Sequence, residues 1–321
     1  MHEGSLRSLY PLSSCLPSPV PANRPLFDSE FLKRLEYLSL LSKRAFQGQL
    51  LAQRRTKQTG GGIEFSDHRE YIQGDDLRYL DWNVYARHGD RLLKRFEEEE
   101  DLHVYILLDT SRSMDSSSTD PAQAVNKFDF ARQIAAAIAY IALADLDRVS
   151  IIGYDDQIRS TLPLIRGKNN SLSMLRYLEK LQTSGNATNL ADVAKDFARR
   201  APRRGLVLIV SDLFDQAGFR AGVDSLRHQR FEPHVIQVHT PAEAHPNLLG
   251  DVELFDVESN RSTKVTITER KLKQYETLFQ NFVRDVEAYC RTYGLSYTRA
   301  TSDVPFDVVL LKMMRMAGAV S

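Results

Sequence analysis

The chain predicts an α/β fold: a doubly wound, mainly parallel sheet with helices on both faces. Three observations carry that reading. From residue 102 onward, apolar runs of strand length alternate with longer segments of helical periodicity. Two of these runs, 102–108 and 206–210, are apolar at nearly every position, as strands covered on both faces must be. Both runs lead into an aspartate, Asp109 and Asp212. In open sheets of this class, ligands bind outside the carboxyl ends of strands, where the strand order reverses.

The elements follow in order. Residues 1–25 are rich in Ser and Pro and contain no continuous apolar run, so a disordered leader is expected and a secretory signal is not. Residues 27–46 place Phe27, Leu32, Leu35, Leu38, Leu41 and Phe46 on an amphipathic helix, with Asp28 or Ser29 as its cap. Arg54, Arg55 and Lys57 come next, and Gly60, Gly61 and Gly62 break the chain. Residues 63–101 are dense in aromatics and charges with poor periodicity, which predicts loops and short strands. The stretch 26–101 is expected to pack on the domain that follows, residues 102–316.

Within that domain, 102–108 is the first strand. Residues 122–146 form a helix striped by Ala131, Ile134, Ala135, Ile138, Ile141 and Ala142. A strand at 149–154 has 157–164 pairing beside it. Helices at 172–181 and 190–200 precede the strand 206–210; a helix at 219–230 precedes the strand 234–239. Residues 252–257 and 264–267 read as an inserted hairpin. A long helix at 269–293 and a strand at 295–299 close the sheet. There is no internal repeat.

Composition narrows the function. Lys+Arg and Asp+Glu are 42 each, so bulk charge gives no argument for nucleic acid or an anionic membrane. No run reaches the roughly eighteen apolar residues of a spanning helix. The two cysteines, Cys15 and Cys290, are far apart without metal-ligand spacing; their scarcity fits a reducing compartment, with a single bridge between them as the alternative. A cytoplasmic protein is expected. The chain contains no GxxxxGK[ST], GxGxxG or HExxH pattern, so ATP hydrolysis, dinucleotide binding and zinc hydrolysis are not expected.

The chemistry lies in Asp109-Thr110-Ser111-Arg112-Ser113. A carboxylate and two hydroxyls are hard oxygen donors, suited to Mg²⁺ or Ca²⁺. Their alternation predicts side chains on one side of a roughly extended loop. Thr188, in the loop between two helices, and Asp212 complete five oxygen donors, a set that with water suits Mg²⁺, with Mn²⁺ or Ca²⁺ as alternatives. This Asp-x-Ser-x-Ser loop, later Thr and strand-terminal Asp resemble the metal-ion-dependent adhesion site of von Willebrand factor A-type domains, a Rossmann-like fold. The resemblance implies metal ligation by Asp109, Ser111, Ser113, Thr188 and Asp212, with an open coordination position filled by a partner's carboxylate. The loop Ser184-Gly185-Asn186-Ala187-Thr188 departs from the commoner Gly-Gly-Thr form.

Upstream, Glu64, Arg69, Asp75, Asp76, Arg78, Asp81, Arg87 and Arg91 interleave with Phe65, Tyr71, Tyr79, Trp82 and Tyr85, which predicts Arg–carboxylate pairs roofed by aromatics. Within it, Glu64, Phe65, Arg69, Tyr71, Gly74, Asp75, Asp76, Arg78, Asp81 and Trp82 form a run extended by Ala86-Arg87 and Lys94-x-Phe96. Trp82 and the tyrosines are expected to pack, and Asp75-Asp76 to form a turn with Arg partners. This run resembles the signature of the family catalogued as domain of unknown function 58. The resemblance implies a MoxR-type AAA+ ATPase as partner, and the short form without the two membrane helices of many relatives.

Arg199, Arg200, Arg203 and Arg204 read as a helix-end cluster, with no nucleic acid required. The acidic run 97–101 reads as a solvated connection. The expected function is therefore a non-enzymatic, metal-dependent protein-interaction module that adapts client proteins to the ATPase. One alternative is a Mg²⁺-dependent phosphotransferase using Asp109 as nucleophile. Such chemistry wants a second carboxylate two residues on, and that position is Ser111. The other is a structural or regulatory domain with a vestigial metal site.

Overall fold

The computed structural model describes residues 10–11, 26–46, 56–58, 64–98, 102–115, 126–185, 187–215, 217–247, 249–256 and 261–316. In chain order, Tyr10–Pro11 (β1) precedes the helix Ser29–Phe46 (α1). Thr56–Gln58 (β2), Glu64–Glu70 (β3), the short helix Trp82–His88 (α2) and Leu92–Glu98 (β4) follow. β4 pairs antiparallel with both β2 and β3, a three-stranded sheet with Leu80 and Leu93 buried. Asp81 caps α2 by accepting from the N–H groups of Asn83 and Val84, and Gly89 ends the helix in the left-handed region at φ 75°.

The larger part holds His103–Asp109 (β5), Lys127–Ala144 (α3), Arg148–Tyr154 (β6), Ile158–Arg166 (β7), Ser171–Lys180 (α4), Leu190–Arg200 (α5), Leu206–Ser211 (β8), Phe219–His228 (α6), Glu232–His239 (β9), Pro241–Ala244 (α7), Gly250–Asp256 (β10), Arg261–Ile267 (β11), Glu269–Thr292 (α8), Ser296–Thr301 (β12) and Phe306–Met316 (α9). Six strands form one sheet in the order β12-β9-β8-β5-β6-β7. Every pairing is parallel except β6 with β7. The expected mixed α/β architecture, a mostly parallel sheet with flanking helices, is borne out. The chain leaves β5 for β6 on one flank and returns to β8 on the other, so the strand order reverses at β5.

Side-chain alternation divides the interior. Val104, Ile106 and Leu108 face a core shared with α1, α3, α4 and α9, where Phe31 packs 4.6 Å from Phe306 between ring centroids. Tyr105 and Leu107 face a second core with α5, α6 and α8. A strand buried on both faces has no polar side, hence the unbroken apolar run. Helix α1 is therefore part of the main core, through Phe27, Phe31, Leu35 and Leu38. Leu32, expected on its buried face, is 37% exposed.

Other departures have local causes. Helix α3 begins at Lys127 rather than 122, capped by Asn126, whose side chain accepts from Phe128 N–H; residues 116–125 lie outside the described set. β7 is an outer strand whose pairing with β6 shifts register around Pro163 and Leu164, because proline offers no N–H to the ladder. Helix α9 was not anticipated, although Phe306, Val309, Leu310 and Met314 repeat at helical spacing and are buried. The expected hairpin is β10 with β11. Within the expected leader, Tyr10 and Pro11 pair with Phe255 and Leu254; the rest of 1–25 lies outside the described residues, as does Cys15.

At the helix end, Arg199 and Arg200 both pair with Asp196, and Arg204 donates to the carbonyl of Ala198, as the capping reading requires. In the acidic run, Glu97 and Glu98 belong to β4, opposite Lys57 and Thr56, rather than to a connection; 99–101 lie outside the described residues. No helix among the described residues is long and apolar enough to cross a membrane.

Candidate metal centre

Asp109 is the last residue of β5 and is fully buried. Its Oδ1 accepts from Ser111 N–H at 2.9 Å, and its Oδ2 from the Ser211 hydroxyl at 2.6 Å. The chain then turns through a single 3₁₀ turn, Arg112–Met114, not the extended loop that strict alternation suggested. The turn nevertheless brings the hydroxyls together: Ser111 Oγ and Ser113 Oγ are 2.9 Å apart. A tight turn satisfies its own backbone, with Met114 N–H donating to Ser111 O, where an extended buried loop would leave such groups unmade.

Asp212 follows β8 directly and is buried. Its Oδ1 accepts from Phe214 N–H at 3.0 Å, and its Oδ2 from Lys127 Nζ at 2.9 Å. The same ammonium donates to Glu243 Oε1 at 2.6 Å. Glu243 is itself held by a capping box: its Oε2 accepts from Thr240 N–H at 2.7 Å while its own N–H donates to Thr240 Oγ1 at 3.2 Å. Lys127 and Glu243 escaped sequence reading. Signals for both exist: a cation in the first turn of a helix opposes the macrodipole and calls for acidic partners, and Thr240-Pro-Ala-Glu243 spells a capping box.

Thr188 is 6% exposed and its loop is fastened to the same edge. Ser184 N–H donates to the carbonyl of Thr110 at 2.6 Å, and Asn189 N–H to that of Asp155 at 3.1 Å. Leu190 N–H, opening α5, donates to Asp215 Oδ2 at 2.6 Å. Gly185, at φ +83°, lies so close to the buried Asp155 carboxylate that a Cβ there would overlap it. Gly185 is thus what lets the loop seat on Asp155. All five residues expected as ligands lie at the carboxyl edge of the sheet, beside the point where strand order reverses.

The electrostatics single out Asp109. Burial, and then the nearby Asp212 carboxylate, raise its carboxyl to about 7. No cation among the described residues pairs with it. Tyr154, ending β6, is pushed well above its ordinary value by burial and then by Asp109. Its hydroxyl is buried without a hydrogen-bond partner of ordinary geometry, close beside Ser211. Asp212 and Glu243 share one ammonium, while Asp109 lies beside Asp212 with no cation of its own; with Asp109 ionised, the four groups leave two negative charges. No cluster of three or more His, Cys, Asp or Glu suited to a metal occurs among the described residues, so an ion here would depend on hydroxyl oxygens. An oxygen-only donor set with that residual charge fits one hard divalent cation. Asp109, Ser111, Ser113, Thr188 and Asp212 would hold it, and it would supply Lewis-acid attraction for an oxygen anion.

The signature segment corrects one expectation. Arg69 grips Asp75 with both guanidinium nitrogens, at 2.8 and 2.6 Å, and Arg78 pairs with Asp76 at 2.6 Å, as the turn reading required. The roof is partial: the Arg78 guanidinium lies 5.9 Å from the centre of the Tyr79 ring, but two other aromatics face solvent. Trp82 is 60% exposed and Tyr85 is 40% exposed, the two rings meeting edge to face at 6.1 Å. No residue of α2 is buried.

The fold and edge define an α/β protein with a carboxylate–hydroxyl site at its strand-order reversal. Residues 67–283 match the family described as protein of unknown function DUF58, and the chain belongs to that family. It is 26% identical to "Uncharacterized protein Rv1480" of Mycobacterium tuberculosis over 92% of each chain. The same figures hold for "Uncharacterized protein Mb1516" of Mycobacterium bovis. Among solved structures it is similar to a conserved hypothetical protein BatB from Bacteroides thetaiotaomicron, at 15% identity and TM-score 0.43, over 67% of this chain and 99% of that one. An aerotolerance-related membrane protein from Bacteroides fragilis aligns over the same shares at 16% identity and TM-score 0.43.

Proposed function

We propose that the chain is a non-enzymatic, metal-dependent protein-interaction module of von Willebrand factor A type. Mg²⁺ is held by Asp109, Ser111, Ser113, Thr188 and Asp212, and an acidic side chain of a partner completes its coordination. The observation that carries this reading is a fully buried carboxylate, Asp109, with no cation paired to it, beside two converging hydroxyls. Without an ion, burial is relieved by protonation, which is why the Asp109 carboxyl is raised; in its ionised form a divalent ion is the compensation these donors suit.

The position two residues beyond Asp109 carries the Ser111 hydroxyl, so a phosphoryl-transfer role lacks its acid–base partner. The family resemblance suggests the setting: a cytoplasmic adaptor that presents clients to a MoxR-type AAA+ ATPase for remodelling or maturation. Calorimetry with Mg²⁺ and Mn²⁺ tests the site. Wild type binds one ion and Asp109→Ala binds none; equal binding by the variant sinks the proposal. A pull-down from the native host, with and without chelator, tests the partner, whose capture is expected to vanish when the metal is removed.

A further inference from the structure

Lys127 is fully buried at the start of α3, yet it is a cation placed where the helix dipole repels it. A buried ammonium persists only when opposite charge surrounds it, and here two carboxylates do, one from the loop after β8 and one from α7. The Asp212 arm reaches the candidate metal centre. The Glu243 arm reaches away from it, to the Thr240 cap and to Tyr275, which donates to the Glu243 carbonyl at 2.9 Å. The ammonium is also 6.0 Å from the centre of the Phe214 ring, two residues beyond Asp212.

We infer that Lys127 is the resident counter-charge of the metal centre: it orients Asp212 and, with Glu243, fixes how much negative charge remains for an incoming ion. The inference rests on the metal reading above and adds two residues to it. With Asp109 ionised, as metal ligation requires, and Lys127 and Glu243 both present, the four groups leave two negative charges. Removing the lysine leaves three, and neutralising Glu243 alone leaves one. Removing both returns the count to two. Divalent affinity follows the remaining charge, since each unit charge a few ångströms away in a poorly screened site changes attraction substantially.

The test is a double-mutant cycle read by Mn²⁺ calorimetry and Mn²⁺ electron paramagnetic resonance on the full chain, with circular dichroism confirming the fold. Lys127→Met is expected to bind Mn²⁺ about tenfold more tightly than wild type, and Glu243→Gln about tenfold more weakly. The double variant, Lys127→Met with Glu243→Gln, is expected to lie within about threefold of wild type. If Lys127→Met unfolds in the absence of metal, Glu243→Gln and the double variant carry the comparison alone. A folded Lys127→Met with unchanged or weaker binding overturns the inference, as does a Glu243→Gln that binds like wild type. In either case, wild-type binding of one ion leaves the functional reading standing. A wild type that binds no Mn²⁺ overturns both.

Discussion

The signature segment and the carboxyl edge of the main sheet both set acids against bases, but one does so in water and the other away from it. Arg78, with its side chain 81% exposed, meets Asp76 in solvent, where screening and side-chain entropy leave little net gain. Lys127, fully buried, meets Asp212 and Glu243 where every unpaired charge is costly. The segment buries Leu80 and Leu93 but leaves Trp82 and Tyr85 in solvent, and its Arg78–Asp76 pair lies at the surface. The edge inverts both, enclosing ions behind aliphatic strands. Charge at the surface can order a short segment; charge in the interior must be balanced group by group, and that balance is what makes a binding site.

The sharpest way to break the comparison is to truncate one cation in each region. Lys127→Ala is expected to cost about 3–5 kcal/mol in urea unfolding, because two carboxylates are left enclosed. Arg78→Ala is expected to leave the urea midpoint essentially where it is, because solvent screens the pair. Equal losses would erase the distinction.

Asp109→Asn tests the edge by pH. The carboxyl of Asp109 is raised from 3.8 to about 7 in the folded chain, so protonation favours folding. That contribution is fully present below the unfolded value and is lost as pH rises through about 7. At pH 8, without metal, the neutral asparagine is therefore expected to stabilise the chain, by on the order of 2 kcal/mol, while abolishing metal binding. Near pH 4 the two chains should melt alike. His239 works in the opposite direction: burial lowers it to about 3, so its contribution is present above about 6.5 and fades in acid.

Gly185→Ala is next in size, at about 1–3 kcal/mol in thermal melts, since the added methyl meets the Asp155 carboxylate and the left-handed backbone disfavours a side chain. Weaker Mg²⁺ binding should accompany it through the Thr188 loop. Trp82→Ala is expected to be the smallest, within about 0.5 kcal/mol, because its ring covers little. A loss above 2 kcal/mol would show the aromatic to be buried in solution.

The sequence displays the strands and the five oxygen donors because each is a local pattern. An apolar run ending in aspartate can be read within ten residues, and hydroxyls at alternate positions within five. Lys127 and Glu243 are 116 residues apart, and nothing local announces that they meet. The exposure of Trp82 is equally illegible, because a segment rich in rings and charges does not say which set faces water. The turn at Arg112–Met114 was misjudged for a different reason: alternation of residue types fits a 3₁₀ turn as well as an extended loop. Helix α9 was legible through its buried Phe306, Val309, Leu310 and Met314, whose spacing matches the helical repeat.

The outer strand β7 bears on behaviour at high concentration. A parallel sheet left open at its flank offers a template on which another chain can polymerise. Here that flank runs antiparallel, carries a proline without an N–H, and slips register where the proline sits. Pairing of crowded molecules through this edge is disfavoured, which leaves β12, at the far flank of the six-stranded sheet, as its more exposed template.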